Sequence, residues 1–347
     1  MKEASKLSIR NFIDHSFEQW ALLLLDFDTT VNYTSWFLKY IEVLNAKNDI
    51  KNYSFVLYLN SIPIAIVPLY VESIEDNWQI SMGQEPVFGP VFNKNIEKLE
   101  LSKYYDFLLS EVDKLAKKFH CKLARFQFSP LLIYSSIYKN FENFGYIEEI
   151  TYPDWYIFKS NFSFILNLDK NKELLFRGIR KGHKSNIRYT KKIAKLIVLD
   201  KQSFKKEFFS RYMDLYYEVK GDKRSLEAFN LDMVAIKSEL QFIMICEFNN
   251  EFIGAIAFHT YNNKARYNSS VQLYNINTKL YPTHFLLWSG IKYLKDRNYK
   301  LLEIGDQVIE SELYKVSKKE KNLSHFKAGW GCDLVSCSKI QKDFTNV

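Results

Sequence analysis

Apolar residues follow two rhythms along this chain. Phe55-Val56-Leu57-Tyr58-Leu59 and Ile64-Ala65-Ile66-Val67-Pro68-Leu69 flank Asn60-Ser61. Phe242-Ile243-Met244-Ile245-Cys246 and the run Phe252 to Phe258 flank Asn249-Asn250. Short apolar runs about an Asn-containing turn predict β-hairpins. Elsewhere the spacing is helical. Ile13, Phe17, Trp20 and Leu24, then Trp36, Leu38, Ile41 and Leu44, predict two N-terminal helices. Phe162-Ser163-Phe164-Ile165-Leu166-Asn167-Leu168 alternates like a strand, after a turn signal at Tyr152-Pro153-Asp154-Trp155. Leu174, Leu175, Ile179, Ile187 and Ala194 then predict one or two helices, with Gly178 and Gly182 between them.

One pattern occurs twice. Phe107-Leu108-Leu109, Lys114, Lys117, Lys122 and Leu123 are matched by Phe285-Leu286-Leu287, Lys292, Lys295, Lys300 and Leu301, always 178 positions on. Seven of 17 aligned positions are identical without a gap. Each copy reads as an amphipathic helix running into a strand, Leu123–Phe128 or Leu301–Ile304, and each follows one of the hairpins. Two units of the same order predict a duplication, with domains at 1–160 and 161–347.

Charge is concentrated in one place. The net charge is +8, and residues 170–195 hold seven Lys and three Arg against Glu173 alone. That segment carries +9 and the rest of the chain −1. A non-specific nucleic-acid coat would be basic throughout. The segment is either a solvated lysine-rich helix face or the seat of one phosphate-bearing partner. With 347 residues and 47% hydrophobic content the chain can bury two cores. The longest uninterrupted aliphatic run, Ala21 to Leu25, is far short of a membrane span. With no signal-peptide pattern, a cytoplasmic protein is expected. Cysteines at 121, 246, 332 and 337 form neither a disulfide framework nor a zinc motif, and the six His show no metal-site spacing. No P-loop, GxGxxG or GxSxG is present.

Three stretches carry a family resemblance. Trp20, Trp36 and Pro68-Leu69 form the first. The second is Arg177-Gly178-Ile179-Arg180-Lys181-Gly182-His183-Lys184. The third is Tyr281 to Trp288, then Ile304-Gly305-Asp306, then His325-Phe326-Lys327-Ala328-Gly329-Trp330-Gly331. In this order they resemble the FemABX-like proteins, which hold two GNAT-like acyltransferase units in one chain. The resemblance implies an α/β (α+β) fold: two tandem GNAT-like domains with mixed, mainly antiparallel sheets flanked by helices. Nothing in the sequence supplies the coiled-coil arm of the longer members. The implied activity is transfer of an aminoacyl or acyl group to an amine of a cell-envelope precursor, either peptidoglycan or an amino-sugar polysaccharide. The donor co-substrate would be aminoacyl-tRNA or acyl-CoA, with no tightly bound cofactor. The acceptor would be nucleotide-linked or lipid-linked, with a possible peripheral membrane contact. The alternative is a catalytically inactive module that binds RNA or anionic envelope intermediates.

Aminolysis of an ester or thioester needs a donor for the oxyanion and a route for the amine's proton. Lys327 matches the Lys of the family's Phe-Lys pair and is the candidate to stabilise the oxyanion or to hold a phosphate or carbonyl of a substrate, with Phe326 walling the pocket. Asp306, near a predicted strand end, is a candidate to accept the proton or orient the amine. His284 is a candidate base, a cap contact or a buried polar residue. Arg266 and Tyr267, on the strand before its helix, are candidates for an acceptor phosphate or carboxylate. Arg177, Arg180, Lys181 and Lys184 are candidates for the donor's phosphates. The family's sequence departs here at Glu303-Ile304-Gly305-Asp306. The link Asn277 to Thr283 lacks the glycines of a pyrophosphate loop, while Met82 to Pro90 is a Gly/Pro loop in the first half.

Overall fold

The computed structural model describes residues 6–96, 101–138, 154–159, 161–273, 280–310, 315–337 and 339–344. The Tyr152-Pro153 part of the expected turn and Asn277-Thr278-Lys279 of the glycine-free link lie outside them. The chain divides into two units, Met1–Asn161 with Ile309–Lys315 and Ser336–Val347, and Phe162–Val308 with Val316–Val335. The expected domain 161–347 therefore gives up its last strand. The first unit has a four-stranded sheet, which holds Phe55–Leu59 and Ile62–Val67, and a seven-stranded one. Lys339–Asp343 lies in the seven-stranded sheet, antiparallel to both Leu123–Gln127 and Trp155–Lys159. Its side chains hold it there: Lys339 pairs with Glu85 at 2.7 Å, Lys342 with Asp113 at 3.1 Å, and Arg125 donates to Gln341 at 2.8 Å.

Both hairpins form where the pattern puts them. Phe55–Leu59 pairs antiparallel with Ile62–Val67, and Gln241–Phe248 with Glu251–Tyr261. Asn60, Ser61, Asn249 and Asn250 all take positive φ, the left-handed conformation that a tight hairpin turn requires and that Asn tolerates best. The duplicated pattern also resolves into matching elements. Leu101–Phe119 leads to the strand Leu123–Gln127, and Pro282–Asp296 leads to Leu301–Val308. Each of these strands pairs parallel with an earlier one, Asn77–Ile80 or Lys264–Gln272.

The second unit is one seven-stranded sheet. Its order is Lys195–Leu199, Gln241–Phe248, Glu251–Tyr261, Lys264–Gln272, Leu301–Val308, Asn161–Asn167 and Asp333–Ser336. Alternation gives it two apolar faces. Ile243, Ile245, Ala255 and Ala257 pack on Phe209, Tyr212, Phe229 and Ile236 of the helices Lys206–Lys220 and Leu226–Lys237. Phe242, Met244, Phe258, Leu302 and Ile304 pack on the central helix Pro282–Asp296. That layer also takes Leu175, Ile179 and Ile187 of the basic segment and Trp330 near its C-terminal end. The basic segment is two helices, Lys172–Gly178 and Lys181–Ile193, broken at Ile179-Arg180.

The parallel strands behave differently in the two units. In the second, Lys264–Gln272 and Leu301–Val308 pair only from Lys264↔Leu301 to Arg266↔Glu303, and then separate. In the first, Asn77–Ile80 leaves its partner after Ala124, but Val87–Phe88 takes over against Phe126 and Gln127. The Gly/Pro loop thus feeds a short strand that closes the first unit's sheet. Among the described residues, only the second unit keeps an open fork.

Gly290 in the central helix has no room for a side chain, because a Cβ would collide with the ring of Phe258. Nothing lies near a Cβ at Gly182, in the first turn of the basic helix. Gly290→Ala should therefore cost about 1–3 kcal/mol through overpacking. Gly182→Ala should be neutral or stabilise by up to about 1 kcal/mol. Thermal denaturation of the two variants checks this, and equal midpoints would contradict the packing described.

Candidate active site

The fork sets the site. Arg266 and Glu303 form its last rung, and Arg266 Nε lies 3.7 Å from Glu303 Oε1. The Glu303 side chain is only 4% exposed and also accepts from Ser163 Oγ at 3.4 Å. Two residues beyond, Gly305 has φ of 108°. A Cβ there would sit 2.6 Å from Lys327 Nζ, so the glycine lets the lysine lie against the strand. Lys327 Nζ donates to the Asp306 carbonyl at 3.3 Å. Arg266, Glu303, Lys327 and Asp306 thus alternate in charge along the opening. Burial lowers the Lys327 pKa, against the pull of Asp306 and Glu303, while the Arg266 charge adds to the lowering. Burial raises that of Glu303 and Asp306 adds to it, while Arg266 and Lys327 oppose. Burial thus acts against the charge on both the lysine and the glutamate, and each is opposed by its oppositely charged neighbours.

Lys327 comes from the last turn of the helix Lys318–Lys327, which starts with a capping box between Ser317 and Glu320. Phe326, expected as a pocket wall, packs its ring against His183, His284 and Trp330, at 5.3, 5.1 and 5.8 Å between centroids. His284 Nε2 lies 3.1 Å from His183 Nδ1, and His183 Nε2 lies 2.9 Å from the Phe326 carbonyl. A carbonyl only accepts, so His183 Nε2 carries a proton. Its Nδ1 then accepts from His284 Nε2–H. Burial depresses both imidazoles, with neighbouring Arg180 adding to it, and His284 falls to about 4. The pair is neutral at pH 7.

Tyr267 points its hydroxyl to Ser270 Oγ at 2.7 Å, on the same side of the sheet's apolar layer as Phe258. The basic residues divide into two groups. Arg177 and Lys181 are exposed, Arg177 only 3.9 Å from Glu173. Lys181, Arg188 and Lys192 recur on one exposed face with Tyr189 beside them. Arg180 and Lys184 turn inward. Arg180 donates to His325 Nε2 at 2.7 Å and to the His325 carbonyl at 3.0 Å. Lys184 donates to the Arg177 carbonyl at 2.8 Å. The structure thus brings Lys327, Asp306 and Arg266 together, and places His284 and Phe326 in the layer behind them.

Sequence reasoning gave no role to Glu303, His183 or Trp330. His183 did carry a signal: His183, Ile187, Thr190 and Ala194 recur at the spacing of the buried helix face, three of them buried and Ala194 partly. The sequence marked Glu303 only as part of a departure from the family's pattern, because its role depends on where the strands part. Among the described residues no group of His, Cys, Asp and Glu is placed to hold a metal, and no helix is long and apolar enough to cross a membrane.

No family model and no curated protein matches this chain by sequence. Solved structures match it by fold. FemX superposes with a TM-score of 0.66 at 10% identity, covering 97% of each chain. The fold is that of the FemABX-like tandem GNAT proteins. L-PGS from Bacillus licheniformis follows at 0.57 and 11% identity, covering 96% of this chain and 93% of that one. N-myristoyltransferase of Saccharomyces cerevisiae with bound myristoyl-CoA reaches 0.50 at 10% identity, over 99% and 84%. At such identities the tandem GNAT likeness is one of fold, and the chemistry has to be argued from the fork.

The histidine pair gives a stability signature. A depressed pKa means that the fold favours neutral His284, so its contribution is complete above about 6.5, the ordinary histidine value. It is lost as pH falls from there through about 4. The loss is at most about 3 kcal/mol. His284→Gln keeps an N–H donor but does not titrate. It should lose less stability than wild type between pH 6.5 and 4, and parallel loss in both proteins would refute a neutral buried pair.

Proposed function

We propose that this chain is an acyltransferase that moves an aminoacyl or acyl group onto an amino group of a cell-envelope precursor. The observation that carries the reading is the open fork, with Lys327 folded over Gly305 above the Arg266–Glu303 rung. The donor's carbonyl enters the fork. The acceptor amine attacks the carbonyl carbon, and the oxygen takes the negative charge. Lys327 Nζ supports that oxyanion from a largely water-excluded position, where a cationic donor acts strongly. The intermediate collapses, the C–O or C–S bond breaks, and the tRNA 3′-oxygen or the thiolate leaves, taking up the proton that the attacking nitrogen has given to the fork carboxylates. The attacking nitrogen gives up its proton to the fork carboxylates, Asp306 nearest the opening and Glu303 beneath it.

The exposed row Lys181, Arg188 and Lys192 supports a polyanionic donor, since cations spaced along one helix contact a phosphate backbone without reading bases. Aminoacyl-tRNA fits that row, and an acyl-CoA would use less of it. The fork belongs to the second unit, which is the donor side in this reading. The first unit is then the acceptor side, for a peptidoglycan or amino-sugar precursor.

Titration of the purified protein with charged tRNA and with short acyl-CoA species tests the donor at two salt concentrations. Salt-sensitive tRNA binding that weakens when Arg177, Lys181, Arg188 and Lys192 are neutralised is the expected result. Thioester binding alone would redirect the acceptor search to amino sugars. Binding of neither would leave an inactive module. With a donor in hand, Lys327→Ala should lower turnover by about 100- to 1,000-fold while the protein stays folded. Unchanged turnover would remove Lys327 from the chemistry.

A further inference from the structure

Helix termini leave carbonyls without intrahelical partners, and the C-terminal end of Lys318–Lys327 is such a place. Three groups from the basic segment meet it. The Arg180 guanidinium donates to the His325 carbonyl at 3.0 Å and His183 Nε2 to the Phe326 carbonyl at 2.9 Å. The Arg180 backbone N–H donates to the Gly329 carbonyl at 2.9 Å. A cation at this end also complements the helix dipole. The glycines make the approach possible. A Cβ on Gly329 would collide with His183 Nε2 and lie 2.9 Å from Arg180. Gly331 takes φ of 72°, and a Cβ there would lie 2.9 Å from the Gly178 carbonyl. His284 and Trp330 then fix the His183 ring from the other sides.

We propose that Arg180 and His183 are positioning residues for Lys327: they cap its helix from outside, so that the start of the basic helix and the lysine in the fork are held as one body. Arg180 is accordingly a structural cation with its guanidinium engaged by His325, and the donor's phosphates are met by the exposed residues beside it. Lys327 follows Phe326 directly, so the orientation of its side chain over Gly305 depends on the carbonyl that His183 holds. The proposal rests on the reading of Lys327 as the group that meets the donor carbonyl, but its test requires no donor.

Protein labelled with 13C-lysine reports each side chain through its Cε resonance, and Lys327→Arg identifies the Lys327 signal. In wild type Lys327 should titrate below the exposed lysines. His183→Phe fills the ring's place but cannot donate to the Phe326 carbonyl. It should raise the Lys327 titration midpoint by about half a pH unit or more, as the amine regains water. His183→Gln keeps a donor and should restore the wild-type midpoint. A Lys327 midpoint unmoved in folded His183→Phe would overturn the proposal. So would equal shifts in His183→Phe and His183→Gln, which would point to ring packing alone. Should His183→Phe fail to fold, Arg180→Met is read by the same criterion. Donor binding and turnover in Lys327→Ala are measured separately, so failure of the acyl-transfer reading would not be mistaken for failure of the cap.

Discussion

Two parallel strands that stop pairing determine most of what the second unit can do. Backbone groups in a sheet need partners, and strands that part must find substitutes or meet solvent and ligand. Here the parting comes directly after Arg266↔Glu303. Arg266 and Glu303 are placed by that event, and Lys327 is brought to it by its own helix. Glu303 is buried on a strand that lies between Lys264–Gln272 and Asn161–Asn167, and Arg266 is next to it because the register puts it there. Gly305 turns the free strand, and Lys327 uses the space that a side chain would have filled. The charges compensate one another in pairs, which allows four ionisable groups to share a poorly hydrated opening.

The first unit shows the same parallel pair and the opposite outcome. Its second strand, Leu123–Gln127, is accompanied beyond Ala124 by Val87–Phe88. A duplicated framework therefore carries one open and one closed version of the same element. The difference lies in the loop Met82–Pro90, which Glu72 anchors by accepting from Gly83 N at 3.0 Å and Gln84 N at 2.8 Å. A buried carboxylate with backbone donors about it is a firm tether. The tether holds the strand that fills the gap.

Much of this was legible in the sequence. The hairpins were marked by apolar runs around Asn pairs, and the duplication by lysines and leucines at a constant offset. The basic helices were visible because Leu175, Ile179 and Ile187 keep helical spacing through a cationic run. The site was legible only in part. Lys327 and Asp306 could be picked out from a family resemblance, and Arg266 from its strand. Spacing along the chain does not say where two strands separate, so Glu303 looked like a departure rather than a rung. Nor does it separate Arg177 from Arg180, three residues apart in one basic run. One faces water and the other caps a helix 145 residues away. The C-terminal strand escaped for the same reason. Lys339–Asp343 is an ordinary short alternating stretch, and its destination is fixed by partners more than 200 residues earlier.

That strand bears on the order of assembly. Domains usually fold as they leave the ribosome, N-terminal part first. The first unit cannot follow that order, because a strand inside its sheet, between Leu123–Gln127 and Trp155–Lys159, is made only after the whole second unit has been translated. Until then the edges of Leu123–Gln127 and Trp155–Lys159 are a template for other strands. The nascent first unit must wait as an open sheet, and the second unit, whose fork carries the charges, is free to fold before it.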